Sequence, residues 1–326
     1  MLLKKNVPLS YIFGKITTEI ILVAVYAIGI VILYENYHFT RISIPIAVPA
    51  LLGTVISLLL AFRSNQAYDR WWEARIIWGA IVNDSRSLTR QLLYFIDDPY
   101  YSAEIQLFKE RFVKRQIAWC YGLSQALRNT DPMHGLDKYM NEEELKFIRG
   151  YKNVPMSILE LHARDMRTAL KEGWINSYQQ VEIDRTLSNL CDRMGGSERI
   201  KNTVFPVTYS KYINMTINLF ILMLPFGLIE FFGYIEVPIV IAIAASFLLI
   251  EKMAIHLQDP FENKPTDTPT TTISRTIERD LCQMLNDAQQ HADHPGHGTG
   301  AYKQNLLYII KKPALCKGRF QYIRYD

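Results

Sequence analysis

Four windows of the chain carry almost no charge, and a long polar stretch with helical periodicity separates the second from the third. The first window is Ile16–Tyr34, with Glu19 near one end. The second, Ile42–Phe62 (ISIPIAVPALLGTVISLLLAF), is uncharged throughout. At about 1.5 Å per helical residue it is long enough to cross a bilayer's hydrocarbon core. It passes without a turn signal into SNQAYDRWWEARIIWGAIVNDSR, Ser64–Arg86, which is dense in arginine, acid and tryptophan. The pattern predicts a spanning helix that continues outside the membrane as an amphipathic one. The third window is about Tyr212–Ile229, reaching toward Tyr234 and including Pro225. The fourth, Val237–Ile250, is short and ends at Glu251 and Lys252. Its length leaves a span and an interfacial or re-entrant segment both open. The helical pattern continues through Met253–Leu257, with Lys252 placed to reach toward the headgroups.

In the polar stretch, Asp98-Pro99, Asp131-Pro132 and Val154-Pro155 mark breaks, because proline disfavours the helical conformation of the residue before it. Helices are expected at 66–96, 102–129, 141–150, 156–172 and 176–194, with Ile117, Leu123 and Leu127 on packed faces. No β-rich run appears. The fold class is an all-α membrane protein with four transmembrane helices and a helical cytosolic domain. Its parts are 1–62 (N-terminal segment and first two spans), 63–211 (cytosolic domain), 212–257 (last two spans) and 258–326 (tail). The tail is threonine-rich at Thr266–Ser274, helical at Ile273–Ala288, and irregular and basic from His291 to Asp326. Four passes put both termini and the insert on one side. Lys4, Lys5, Lys15, Arg63, Arg70 and Lys211 flank that side, whereas the outer loops have Arg41 alone. The positive-inside rule makes it the cytoplasm. The basic N-terminus is not read as a secretory signal, since the window after it is too long and lacks a small-x-small cleavage site.

Composition changes this picture little. The chain has 326 residues, 49% hydrophobic and 21% charged, a balance that fits soluble and half-membrane proteins alike. A net charge of +4 with no basic stripe argues against nucleic acid as a partner. Cys120, Cys191, Cys282 and Cys316 are far apart with no CxxC pair, which points to free thiols rather than a disulfide framework. No HExxH, P-loop, GxGxxG or GxSxG occurs, so neither an enzyme nor a cofactor is expected. His291, His294 and His297 stand three apart beside Asp293. Pro295, Gly296 and Gly298 oppose a helix that would aim them together, so a solvated tail is expected rather than a metal site. Asp69 and Glu73, neighbours at i and i+4 with Arg70 beside them, could do acid–base work. Ion pairing at a subunit interface just below the membrane is the stronger reading for Asp69, Arg70, Glu73, Arg75, Asp84 and Arg86. Trp71, Trp72 and Trp78 then serve as interfacial anchors or packing residues.

Three motifs add a resemblance. YDRWWEAR with WGAIVNDSR (Tyr68–Arg75, Trp78–Arg86), GGSERIKNTVFPVTYS (Gly195–Ser210) and QDPFE (Gln258–Glu262) resemble the bestrophin family, especially its bacterial branch. They occur in the same order and at similar separations, over nearly the whole chain to about residue 290. The resemblance implies a homopentameric ion channel whose pore lies on the symmetry axis and is lined by the second helix. Carried over from the RWW run, the neck positions are Thr54, Leu58 and Phe62, which a spacing of four puts on one helical face, with Gly53 across from it. Thr54 departs from the larger apolar residue usual there, so a wetter outer neck is expected. A ring of this kind gates by dewetting. A second constriction near the cytosolic exit falls on Tyr178; the alternative is a buried aromatic at a helix start. Animal members use an acidic calcium clasp after a QDPFE-like motif. Here only Glu262 and Asp267 follow, with Lys264 between them, so calcium activation is not expected.

The expected partners are further copies of the chain, membrane lipid and small monovalent ions, in a bacterial inner (plasma) membrane. The neck has no charged ring to fix selectivity. Cations such as Na+ and K+ are favoured because the motifs sit closest to the bacterial branch, and an anion channel is the alternative. Two rivals stay open. Pro45, Pro49 and Pro225 hint at the interrupted helices of a secondary transporter, although no half-to-half repeat is visible. The other rival is a membrane-anchored helical scaffold that conducts nothing.

Overall fold

The computed structural model describes residues 14–35, 43–96, 98, 102–203 and 206–293, with side chains as far as residue 287. The regular structure among them is helical: α1 (Thr17–Glu35), α2 (Ala47–Phe95), α3 (Ala103–Leu127), α4 (Glu142–Arg149), α5 (Val154–Lys171), α6 (Ser177–Asn202), α7 (Val207–Phe232), α8 (Glu236–Gln258) and α9 (Thr270–Asp293). Short 3-10 turns occupy Leu136–Lys138 and Gly233–Ile235. The chain divides into two compact units, 1–79 with 193–270 and 80–192 with 271–326.

Three helical stretches are long and apolar enough to cross a membrane: α1, α2, and Val207–Gln258, which the 3-10 turn at Gly233–Ile235 divides into α7 and α8. The short fourth window thus belongs to a helix of 23 residues. The second window becomes helical at Ala47 rather than Ile42. Residues 43–45 are not helical, and the Pro45 carbonyl accepts from the Val48 amide at 2.9 Å. Pro49 falls in the first turn, where a backbone donor has no intrahelical partner to lose. These two prolines open a helix instead of interrupting one. From there α2 runs unbroken to Phe95, as the missing turn signals predicted.

In the first unit, buried residues recur at helical spacing: Val23 and Ala27 on α1, Ile56 and Leu60 on α2, Ile213, Ile217, Phe220, Leu224 and Leu228 on α7, and Val240, Ala244 and Leu248 on α8. Lipid offers no hydrophobic drive between helices, so close approach through small residues matters more. Gly53 is such a point, where an added Cβ would lie 3.2 Å from the Phe220 ring. Gly227 is tighter, its Cβ position 2.6 Å from Pro49 Cγ and 3.7 Å from Ile46 Cα. The Ile44 amide donates to the Phe226 carbonyl at 3.0 Å and fixes the chain entering α2 against the same turn of α7. Pro225 sits inside α7, and in that loosened region the Tyr26 hydroxyl donates to the Leu222 carbonyl at 2.8 Å.

The α6 helix extends past the expected end at residue 194 to Asn202, through both glycines of the GGSER run. Packing explains it, since a Cβ at Gly196 would meet Ile77 Cδ1 at 3.1 Å, so this turn lies close against α2. The segment after α8 folds back on α2 as well, where the Trp71 indole donates to the Thr266 carbonyl at 3.0 Å.

The second unit is built on α3, whose Ile117, Trp119, Cys120, Leu123 and Leu127 are buried. The buried Lys109 ammonium donates to the Leu93 and Ile96 carbonyls, at 3.2 and 3.1 Å, and so closes the end of α2. Helices do separate near the expected breaks, but Val154 and Pro155 both lie in the first turn of α5, so that break falls before Val154, and Pro99 lies outside the described residues. Asn141 caps α4 in a reciprocal box with Glu144, and Asn153 caps α5 with Pro155 in the first turn. The Glu144 carboxylate also takes the Arg115 Nε at 3.0 Å, and Arg115 reaches Asp165 at 2.8 Å. On α9, Glu278 accepts from the hydroxyls of Tyr121 and Tyr139, each at 2.6 Å. Among the described residues Cys120, Cys191 and Cys282 form no disulfide with one another, and burial pushes the Cys120 thiol up to about 12; Cys316 lies outside the described residues.

Candidate functional site

Two faces of α2 differ sharply. Ile56, Leu60, Arg63 and Ala67 are buried against the rest of the first unit. Thr54, Leu58 and Phe62 point away from it, Leu58 at 59% and Phe62 at 54% exposure. The three residues that spacing puts on one helical face are thus uncharged and exposed together. Thr54 is less polar than its name suggests. Its hydroxyl donates to the Ala50 carbonyl of its own helix at 3.0 Å, so its proton is not presented outward.

Further along α2 the charged cluster separates into two groups. Arg70, Trp71 and Glu73 are engaged inside the protomer. Arg70 donates to the Ile200 carbonyl at 2.8 Å and the Gln258 carbonyl at 3.0 Å, and Glu73 pairs with Arg199. Asp69 and Arg75 make no such contact among the described residues, and Trp72 is 48% exposed with its ring stacked on Tyr68. Seven residues make nearly two helical turns, so Asp69 lies almost in line with Phe62. Of the two carboxylates that could do acid–base work, Glu73 is paired with Arg199.

Tyr178 is 87% exposed in the first turn of α6. The alternative of a buried aromatic at a helix start does not hold: the start is capped by Asn176, which accepts from the Gln179 amide at 2.9 Å, while the ring faces outward. In the segment after α8, Glu262 pairs with the Lys264 ammonium at 2.7 Å and Asp267 accepts from the Lys264 amide at 3.0 Å. Lysine thus occupies the space between the two acids. Among the described residues no cluster of His, Cys, Asp or Glu has metal-holding geometry. The His291 side chain, His294 and His297 lie outside the described residues.

Sequence reasoning missed a buried ion pair. Arg63 Nη1 stands 3.4 Å from Glu251 Oε1, with both side chains at most 5% exposed. Arg63 Nη2 also lies 3.3 Å from the Ser210 hydroxyl. One residue along, Lys252 pairs with Glu19 at 3.1 Å rather than simply reaching for headgroups, and Lys15 meets the His256 ring. A signal was available, since Arg63 and Glu251 are each the first charge after an apolar run.

Comparison with known proteins decides the family. The family described as bacterial/fungal bestrophin protein matches residues 6–283. The chain belongs to the bacterial bestrophins. A bacterial bestrophin homologue from Klebsiella pneumoniae, solved by crystallography, superposes with a TM-score of 0.78 at 29% identity, over 83% of this chain and 98% of that one. A Ralstonia nicotianae protein named voltage-dependent anion channel-forming protein RSc3414 is 30% identical over 81% of this chain and 85% of its own. The Escherichia coli K12 protein YneE, with the same descriptive name, is 28% identical over 85% and 89%. This bestrophin therefore shares an all-helical membrane fold with relatives along most of their length.

Proposed function

We propose that this bestrophin is a channel in the bacterial inner membrane, a ring of five copies passing small monovalent ions along its axis. The observation that carries the reading is the outward, uncharged face Thr54–Leu58–Phe62, opposite the face that packs on the first unit. Four helices of one chain enclose little water, whereas copies around an axis can bring such a face together as a bore. Leu58 is the central ring. A narrow apolar constriction empties or fills with small changes in radius and so gates the path. Trp72 and Arg75 lie at the seam between copies, and Tyr178 forms a lower constriction. With Lys264 held between Glu262 and Asp267, the channel does not open in response to calcium. Both termini are cytoplasmic. In support, Lys15, Glu19, Arg63, Glu251, Lys252 and His256 meet at one end of the spanning bundle, as four passes require.

Cations are the favoured permeant ions. Asp69, exposed and close in line with Phe62, adds an acidic ring below an uncharged neck. Anions are the second reading, favoured by the printed names of the curated relatives. Purified protein in planar bilayers tests both. Leu58→Ala is expected to raise current, and an unchanged open probability removes Leu58 from the gate. Reversal potentials in asymmetric salt give the sign, and Asp69→Asn is expected to weaken cation preference. Saturable flux that depends on a counter-substrate would instead mark a transporter.

A further inference from the structure

We propose that the buried Arg63–Glu251 pair is a positioning device for the neck, fixing how far the Phe62 ring turns toward the path. The inference rests on the neck reading above. Arg63 directly follows Phe62 on α2, about 100° around the helix, so the two side chains rotate as one body. Phe62 points outward while Arg63 points inward to Glu251 on α8 and Ser210 on α7. A rotation of about 20° swings a side-chain tip by about 2 Å at a helix radius of about 5–6 Å. Steps of that size separate a wetted bore from an empty one in an apolar constriction.

Stability alone is a poor reason for the pair. Two charges removed from water lose hydration that their attraction hardly exceeds, and apolar replacements of similar volume are often as stable or more so. What a buried pair supplies is direction: one partner accepts one neighbour in one register. The register here is shared among α2, α7 and α8. The next residue of α8, Lys252, is fastened to α1 through Glu19, so the turn that holds Arg63 is itself held from its other side.

The test uses the purified full-length oligomer in planar bilayers, with assembly checked by size exclusion. Glu251→Gln removes the charge that faces the guanidinium and is expected to change open probability on the order of tenfold, the range of coupling between contacting residues. Arg63→Lys, which keeps the charge but loses the planar fork, is expected to fall between that variant and the parent. The exchange Arg63→Glu with Glu251→Arg is expected to return open probability to within about twofold of the parent. A merely structural role would leave assembled variants conducting normally. If Glu251→Gln fails to assemble, Arg63→Lys decides in the same assay. Unchanged gating in the neutralised or lysine variant, with Leu58→Ala still raising current, overturns the proposal. No effect of Leu58→Ala overturns the neck reading beneath it.

Discussion

Gly227→Ala is the sharpest packing test. The added methyl carbon would stand 2.6 Å from Pro49 Cγ, about 1 Å inside ordinary carbon contact. The obstacle is a proline ring on the first turn of α2, not the end of a flexible side chain; Ile46 Cα, at 3.7 Å, is in ordinary contact. Relief requires α2 and α7 to part locally. Overpacking of this kind costs about 1–3 kcal/mol, offset by about 0.5–1 kcal/mol from replacing a glycine inside a helix. The net expectation is a loss of up to about 2.5 kcal/mol, read as a lower temperature at which the detergent-solubilised oligomer loses its elution peak. Pro49→Ala should restore part of that loss in the double variant, since the two residues are in contact. Gly29→Ala is the control, because nothing lies within 4 Å of its Cβ position, and it should melt no lower than the parent. The displaced turn also carries Ala50, whose carbonyl holds the Thr54 hydroxyl, so altered current should accompany the lower melting temperature. A Gly227→Ala protein that melts with the parent and conducts like it would refute the reasoning.

Two further expectations concern the second unit. Lys109→Met removes a charged donor from the Leu93 and Ile96 carbonyls and should destabilise the protein by about 2 kcal/mol, with faster amide exchange at the end of α2. His162 is fully buried with both ring nitrogens unpaired, beside the Phe112 ring at 4.0 Å. Burial first, and then the nearby Arg115 charge, hold it well below the ordinary imidazole range. The folded chain keeps it neutral while the unfolded chain takes a proton below about pH 6.5. Its full stability is present above that pH and falls by up to about 1.4 kcal/mol per unit as the pH drops toward the folded value. His162→Phe should flatten the dependence of the melting temperature between pH 7.5 and 5.5; parallel curves for variant and parent would exclude the histidine as its source.

The helical architecture was legible because it is written in local pattern. An uncharged run passing into an amphipathic one, with no glycine or proline between Gly53 and Gly79, gave α2, and the Asn141 and Asn153 caps follow from side chains adjacent to their helices. That Leu58 and Phe62 share a face was legible for the same reason, since spacing by four fixes a face; which way the face points was not. What escaped depended on partners distant in sequence. Gly195 and Gly196 looked like a helix end until Ile77 was seen packed against the second of them. Nothing local distinguishes Glu73, taken by Arg199, from Asp69, four residues earlier and open. The Arg63–Glu251 pair joins residues 188 positions apart, a separation that no periodicity reports.

The back-bonded hydroxyl of Thr54 has a practical corollary. In the proposed neck, an ion passing Thr54 would meet an alcohol whose proton is already committed to the Ala50 carbonyl, leaving chiefly a methyl group and a lone pair to interact with. Threonine there behaves much as valine would, so an isosteric swap is nearly silent, whereas serine, with the same bond but no methyl, admits more water.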